Sequence, residues 1–278
     1  MQQHLTEWSL SRRKVFSNCA RRFVMQYIKR TEPFKHKGIS NKWHSDWDLM
    51  IKSVRKVFYD RLTDLHKGVI WSEKITESKM RYELVSNLAL HNNKSSSNSI
   101  RKFKLIELGL NRIRTLMNSS ILRKISNNSI KEWSFYDRVK SVPFGHLDVY
   151  CSPDIVYRIK NKWNLVRIVF QAEKRQPQLD LELCSMLLWS KGNQYLPNLE
   201  DKFIIHGLSY DSGKWHHKKI SPTQNTLQET KQLLEKDVHN MNILQTEFYR
   251  TNDIDSMPLA ISSLYCKRCP FRTGCLDN

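Results

Sequence analysis

An α+β fold is predicted by a change of period partway along the chain. Up to about residue 130, apolar side chains recur at the three-and-four spacing of amphipathic helices. From Val142 onward they gather in short β-prone runs separated by turn residues. Helical and strand-like segments then alternate as far as Phe248. The order is helices, three strands, a helix, a strand pair and a long helix. That order describes a mixed sheet flanked by helices, with a helical layer ahead of it.

The elements follow one by one. Ser9-Leu10-Ser11 caps a helix from Arg12 to Tyr27, with Val15, Phe16, Cys19, Phe23 and Tyr27 at helical spacing. Pro33 and Gly38 interrupt. A second helix from Asp46 to Leu65 places Trp47, Met50, Ile51, Val54 and Phe58 on one face, and a third follows Gly68. His91 to Ser99 is polar and Ser/Asn-rich, a loop, and a fourth helix runs from Ile100 to Lys124. Val142–Tyr150, Asp154–Lys160 and Asn164–Ala172 read as strands, divided by Ser152-Pro153 and Lys160-Asn161-Lys162. A helix from Leu179 to Lys191 precedes two strands, Lys202–Ser209 and Lys214–Ile220, joined by the hairpin signal Asp211-Ser212-Gly213. A helix from Gln224 to Phe248 leads to a cysteine-bearing end. The divisions are a helical region over 1–130, a core over 131–250 and a cysteine loop over 251–278. No internal repeat is present.

Composition narrows the partners. The chain has 278 residues, of which 40% are hydrophobic, enough for a sizeable core. Lys and Arg number 46 against 27 Asp and Glu, a net charge of +19 that attracts polyanions such as DNA or RNA. The longest apolar run, Met186 to Trp189, is far too short to span a bilayer, so no membrane partner is expected. The start, M-Q-Q-H-L-T-E-W, lacks the pattern of a secretory signal. A cytoplasmic protein with reduced thiols is the expectation. There, six cysteines favour metal or cluster ligation over disulfides. Cys151 and Cys184, in apolar surroundings, read as core residues.

The other four cysteines frame the chain. Cys266, Cys269 and Cys275 lie in C-K-R-C-P-F-R-T-G-C, and Cys19 stands alone near the start. A C-x2-C pair grips one ion or one cluster. Zinc favours two such pairs, whereas an iron–sulfur cluster accepts a remote single cysteine. Cluster, zinc and plain structural thiols are all consistent with the spacing. Basic and aromatic residues also interleave. Arg12, Arg13, Lys14, Arg21 and Arg22 accompany Trp8 and Phe23, Lys214-Trp215-His216-His217-Lys218-Lys219 forms a basic hairpin, and Lys267, Arg268 and Arg272 surround the terminal cysteines. Arg12, Arg13, Arg21, Arg22, Lys214, Trp215, Lys218, Lys267 and Arg268 are the candidate nucleic-acid contacts, by phosphate pairing and base stacking.

W-S-L-S-R-R-K-V-F-S-N-C-A-R-R-F-V-M-Q-Y (Trp8 to Tyr27), taken with the terminal C-x2-C-x5-C, resembles the iron–sulfur nucleases of the PD-(D/E)XK superfamily. That group includes RecB-type nuclease domains and CRISPR-associated exonucleases. The resemblance implies a 4Fe–4S cluster on Cys19, Cys266, Cys269 and Cys275, structural rather than redox-active, and a restriction-endonuclease-like sheet flanked by helices. It also implies a metal-dependent deoxyribonuclease centre using Mg²⁺ or Mn²⁺. Gly145-His146-Leu147-Asp148 matches the family's first acidic run, making Asp148 the first candidate ligand. The second element, acid–spacer–Lys on the third strand, falls on Ala172-Glu173-Lys174, with Ala172 where the acid belongs. Glu173 points to the opposite face of a regular strand from Lys174, and only a bulge would bring it round. Trp71 stands where the family carries His, and Glu182 and Met186 where it carries Gln and Tyr. These departures imply a nucleic-acid-binding subunit with a degenerate cleavage centre, working beside other proteins of a DNA-processing, CRISPR-type or mobile-element complex. The alternatives are an active exonuclease using Asp148, Glu173 and Lys174, and a zinc-stapled interaction module.

Overall fold

The computed structural model describes residues 5–29, 45–90, 99–136, 141–171, 177–267, 269–272 and 275, without the side chains of 177 and 178. Strand β1 (Glu7–Ser9) leads into α1 (Leu10–Asn18), α2 (Ala20–Phe23) and a π-helical turn over Val24–Ile28. Three longer helices follow, α3 (Asp46–His66), α4 (Glu73–Leu90) and α5 (Ser99–Met117), then the short α6 (Ser120–Ser126). The strands β2 (Trp133–Phe135), β3 (Val142–Phe144), β4 (Leu147–Tyr150), β5 (Ile155–Ile159) and β6 (Lys162–Val169) lead to α7 (Pro177–Gly192). Strands β7 (Phe203–Asp211) and β8 (Lys214–Ile220), the long α8 (Gln224–Thr251) and the short α9 (Ser263–Lys267) complete the order.

The strands form two mixed sheets. A five-stranded sheet has the order β2-β5-β6-β7-β8, with β6 and β7 parallel and the other neighbours antiparallel. A three-stranded sheet has the order β1-β4-β3, with β1 parallel to β4. Side chains alternate across a strand, so β6 serves two cores at once. Val166 and Ile168 join Ile155, Tyr157 and Leu208 against α3, α4, α5 and α6. Leu165 faces the other way with Val156, Phe203 and Ile205, against α7, α8 and the small sheet. Burial on both faces explains the near-continuous apolar run of β6. Close packing fixes α7 at its C-terminal end and in its middle. A Cβ on Gly192 would lie 2.5 Å from the carbonyl oxygen of Pro143, and one on Gly207 2.9 Å from Leu183.

Several sequence expectations change. The helix expected from Arg12 to Tyr27 is broken at Cys19, whose backbone is extended (φ −162°, ψ 109°). Its Sγ accepts the Arg22 N–H at 3.4 Å, so the thiol itself caps the restarted helix α2. The helix expected from Ile100 to Lys124 stops at Met117 and restarts at Ser120. The third strand ends at Val169 rather than at Ala172. Cys151 is buried as expected, but Cys184 is only half-buried. Strands β1 and β2, three residues each, are too short to show a period in the sequence. The loop at 91–98 lies outside the described residues. Among the described residues no helix is long and apolar enough to cross a membrane.

A polar ladder crosses the large sheet on its helical side. Asn164 donates to the Lys162 carbonyl, so its Oδ1 faces His206 Nε2 at 2.9 Å, and His206 Nδ1 meets His217 Nε2 at 2.9 Å. That arrangement requires a proton on His206 Nε2; when His206 is neutral, its Nδ1 accepts the His217 Nε2–H. Burial first, then the positive neighbours His217 and Lys219, lowers the His206 pKa from 6.5 to about 4. A depressed histidine stabilises the fold fully above its unfolded pKa and loses that stabilisation as pH falls toward the folded value. Thermal melts are therefore expected to fall between pH 6.5 and 4, with a contribution from this residue of at most roughly 3 kcal/mol. The His206→Gln variant should show a flatter pH profile, and an unchanged profile would refute the assignment.

Candidate functional site

Two cavities meet the N-terminal segment, and Ser11 and Lys14 of α1 line both. Backbone and side-chain bonds place that segment firmly. Leu5 exchanges two hydrogen bonds with the Asn242 side chain, at 2.8 and 3.0 Å. Trp8, fully buried, donates its indole N–H to Asp237 on α8 at 3.0 Å, and Arg13 pairs with the same carboxylate oxygen at 2.7 Å. Arg21 then holds the C-terminal segment. It donates to the carbonyls of Met257, Asp255 and Cys275 and pairs with the Asp255 carboxylate at 2.7 Å.

The first cavity, about 360 Å³, is lined by all four framing cysteines, Cys19, Cys266, Cys269 and Cys275. Cys19 comes from the break between α1 and α2. Cys266 comes from α9, and Cys269 follows a turn whose N–H returns to the Cys266 carbonyl at 3.1 Å. Lys14, Arg22 and Arg272 add positive charge to the walls, while Val15, Met25, Leu259 and Phe271 make the rest apolar. Burial pushes the Cys19 thiol up, partly opposed by the Arg22 N–H and reinforced by Cys275 and Cys266. Burial likewise raises Cys269, against the lowering influence of Arg22. The thiols therefore feel one another across a shared space. Among the described residues, no three His, Cys, Asp or Glu side chains gather closely enough to grip a single metal ion. The donor set, four thiols bordering one cavity with an N–H and cations beside them, fits a thiolate-bound cluster.

The second cavity, about 590 Å³, is polar. Glu7, Arg12, Lys14, Tyr27, Arg55, Tyr150, Arg167 and Glu182 are among its lining residues. Its floor is a buried charge group. Arg167 on β6 donates to Glu182 on α7 through Nε at 2.6 Å and through Nη2, and to the Ser152 carbonyl through Nη1 at 3.0 Å. Asp154, fully buried at the head of β5, lies 3.9 Å from the Arg167 guanidinium. It accepts the Ile168 N–H at 2.6 Å and the Tyr59 hydroxyl.

The residues singled out from the sequence are distributed as follows. Asp148 sits on β4 in the small sheet, opposite Glu7, and accepts the Thr6 hydroxyl at 2.7 Å. It does not line the polar cavity. Glu173, Lys174 and Arg268 lie outside the described residues. Among the basic candidates, Arg12 pairs with Glu7 and stacks over Tyr27, Arg13 and Arg21 are paired as above, and the Arg22 guanidinium reaches Gln26 at 3.4 Å. Lys218 pairs with Asp180 at 2.5 Å. Trp215 is half-buried, packed edge-on against Phe170 and Tyr210, with its N–H on the Arg112 carbonyl. Lys214 and Lys267 are exposed. Trp71 is buried and bonds Asp64 at 2.8 Å, a packing role.

Asp154 and Arg167 are the residues that the sequence reading passed over. A signal was there: an arginine inside the apolar run N-L-V-R-I-V-F, and a glutamate inside L-D-L-E-L-C-S-M-L-L-W, each need a buried partner of opposite sign. Compared with known proteins, the chain matches no family model, and no curated protein is significantly similar to it.

Arg21→Ala is expected to cost about 2 kcal/mol, since it removes charge-assisted bonds to two segments. Hydrogen exchange should speed up over 255–275 and stay unchanged in α3 and α5. Equal acceleration everywhere would show that Arg21 is not a local tie.

Proposed function

We propose that the chain is a nucleic-acid-binding iron–sulfur protein with a PD-(D/E)XK nuclease-like core and a degenerate cleavage centre. It would hold DNA within a larger nucleic-acid-processing assembly, of the CRISPR-type or mobile-element kind. The observation that carries this reading is the meeting of Cys19 with Cys266, Cys269 and Cys275 around one cavity. The mixed sheet covered by helices on both faces, and the net charge of +19, support it further. Those four residues would hold a 4Fe–4S cluster, which would supply a covalent cross-link between the first helices and the last loop. Arg22 would steady it, by its N–H on Cys19 and its charge near Cys269.

Anaerobically purified protein is expected to be brown, with the broad visible absorption of thiolate-bound iron. Cys19→Ser should bleach it and lower the melting temperature. A colourless protein carrying zinc would replace the cluster with the zinc-stapled alternative.

Binding to single- and double-stranded DNA should weaken steeply with salt. Lys214→Ala and Lys267→Ala are each expected to reduce the salt slope by about 1. Arg13→Ala should instead lower stability, because its charge is held by Asp237. Cleavage with Mn²⁺ or Mg²⁺ that disappears in Asp148→Ala would overturn the degenerate reading in favour of an active exonuclease.

A further inference from the structure

The polar cavity supports a second conclusion, which goes beyond the nucleic-acid reading and does not depend on it. Its walls carry four cations, Arg12, Lys14, Arg55 and Arg167, against two carboxylates, Glu7 and Glu182. Each carboxylate is answered within the wall, Glu7 by Arg12 and Glu182 by Arg167. The lining as a whole therefore carries two more positive than negative charges. These cations come from separate parts of the fold, α1, α3 and β6. The first turn of α1 adds to them. Ser9, Leu10, Ser11 and Arg12 all border the cavity, and that turn contains no acidic residue, so the positive end of the helix faces the space. The lining runs from Ser11 and Arg55, which are exposed, to Ser152, Arg167 and Glu182, which are buried. A space open on one side and floored on the other admits the end of a chain molecule more readily than its middle. Its volume of about 590 Å³ lies in the range of small-ligand sites, and its charged walls suit an anion.

We propose that this cavity binds a phosphate monoester, the terminal phosphate of a nucleic-acid strand or of a free nucleotide. A monoester carries about two negative charges at neutral pH and three strong acceptor oxygens. That charge matches the excess on the walls, whereas an internal phosphodiester carries only one. Lys14 from α1 and Arg55 from α3 supply the positive charge. The first turn of α1 and the hydroxyls of Tyr27 and Tyr150 supply neutral donors around it. The Arg167–Glu182 pair stays intact beneath them as the floor.

The test has two arms, both on the full chain. In the first, calorimetry compares adenosine 5′-monophosphate with adenosine. The monophosphate should bind about tenfold more tightly or better, and inorganic phosphate should compete with it. Arg55→Gln, a change at an exposed helix position, should remove that preference while keeping the wild-type melting temperature and colour, and Lys14→Gln should also remove it. In the second arm, one single-stranded DNA is offered with a 5′-phosphate, a 3′-phosphate or hydroxyl ends. A preference for a phosphorylated end that is lost in Arg55→Gln supports the proposal and assigns the cavity to strand ends. Equal binding of the three strands, with nucleotide binding retained, supports it and assigns the cavity to free nucleotides. Adenosine 5′-monophosphate that binds no better than adenosine, together with no preference for a phosphorylated end, overturns the proposal. A phosphate preference that survives both Arg55→Gln and Lys14→Gln overturns it as well, since the group would then be held elsewhere. A chain that takes the nucleotide but no DNA would sink the nucleic-acid reading and leave this site standing.

Discussion

The Arg167 guanidinium is the point at which the layers of this protein are tied together. Tyr59 reaches Asp154 from α3, so the helical layer is anchored to the head of β5. The Ile168 N–H and the Ser152 carbonyl bring in β6 and the chain ahead of β5. Glu182 brings in α7. Apolar contact between these layers is non-directional and would allow small slides. A bidentate arginine has a fixed fork, so it sets register as well as attraction. Taking either acid away would leave the arginine partly unpaired in a dry place, a larger penalty than the pair's net contribution to stability. The group therefore specifies one arrangement of β5, β6 and α7 more than it adds to stability.

A second set of bonds closes the chain end to end, and it precedes any cofactor. The bonds of Leu5 to Asn242, and of Trp8 and Arg13 to Asp237, pin the N-terminal segment along α8. The parallel pairing of β1 with β4 fixes its direction. Arg21 then reaches the chain that follows α8. The four thiols border one cavity because these protein bonds bring the ends together. Preorganisation of this kind reduces the ordering entropy that a bound group must overcome. Thiols raised by burial still have to lose their protons on ligation, so binding iron would release protons and grow stronger as pH rises.

Elements with strong periods were legible: α3 runs from Asp46 as expected, because Ser45 and Asp48 form a capping box ahead of a clean apolar stripe. Strand β8 matched residue for residue, because Asp211-Ser212-Gly213 fixes the hairpin, with Ser212 and Gly213 both at positive φ. The grouping of the cysteines was legible from their number and spacing, once reduction was assumed. The break at Cys19 was not, because its cause is a single extended residue whose thiol replaces a hydroxyl as cap. The charge group was missed for a different reason. It belongs to no motif, whereas an unaccompanied charge in an apolar run still states a physical need for a buried partner.

Net charge measures the attraction to polyanions poorly once partners are counted. Arg12, Arg13, Arg21 and Lys218 each meet an acidic side chain within the fold, and their fields are largely closed on themselves. The outward face of β8 differs. It is an edge strand of the large sheet, and Lys214 and His216 are exposed on that face, while Lys219, also exposed, alternates to the face of Trp215 and His217. Lysines on an edge strand repel another strand that would pair there, a device against aggregation. The inward Trp215, held by Arg112 and Phe170, belongs to the core instead, and His217 on the same face meets His206.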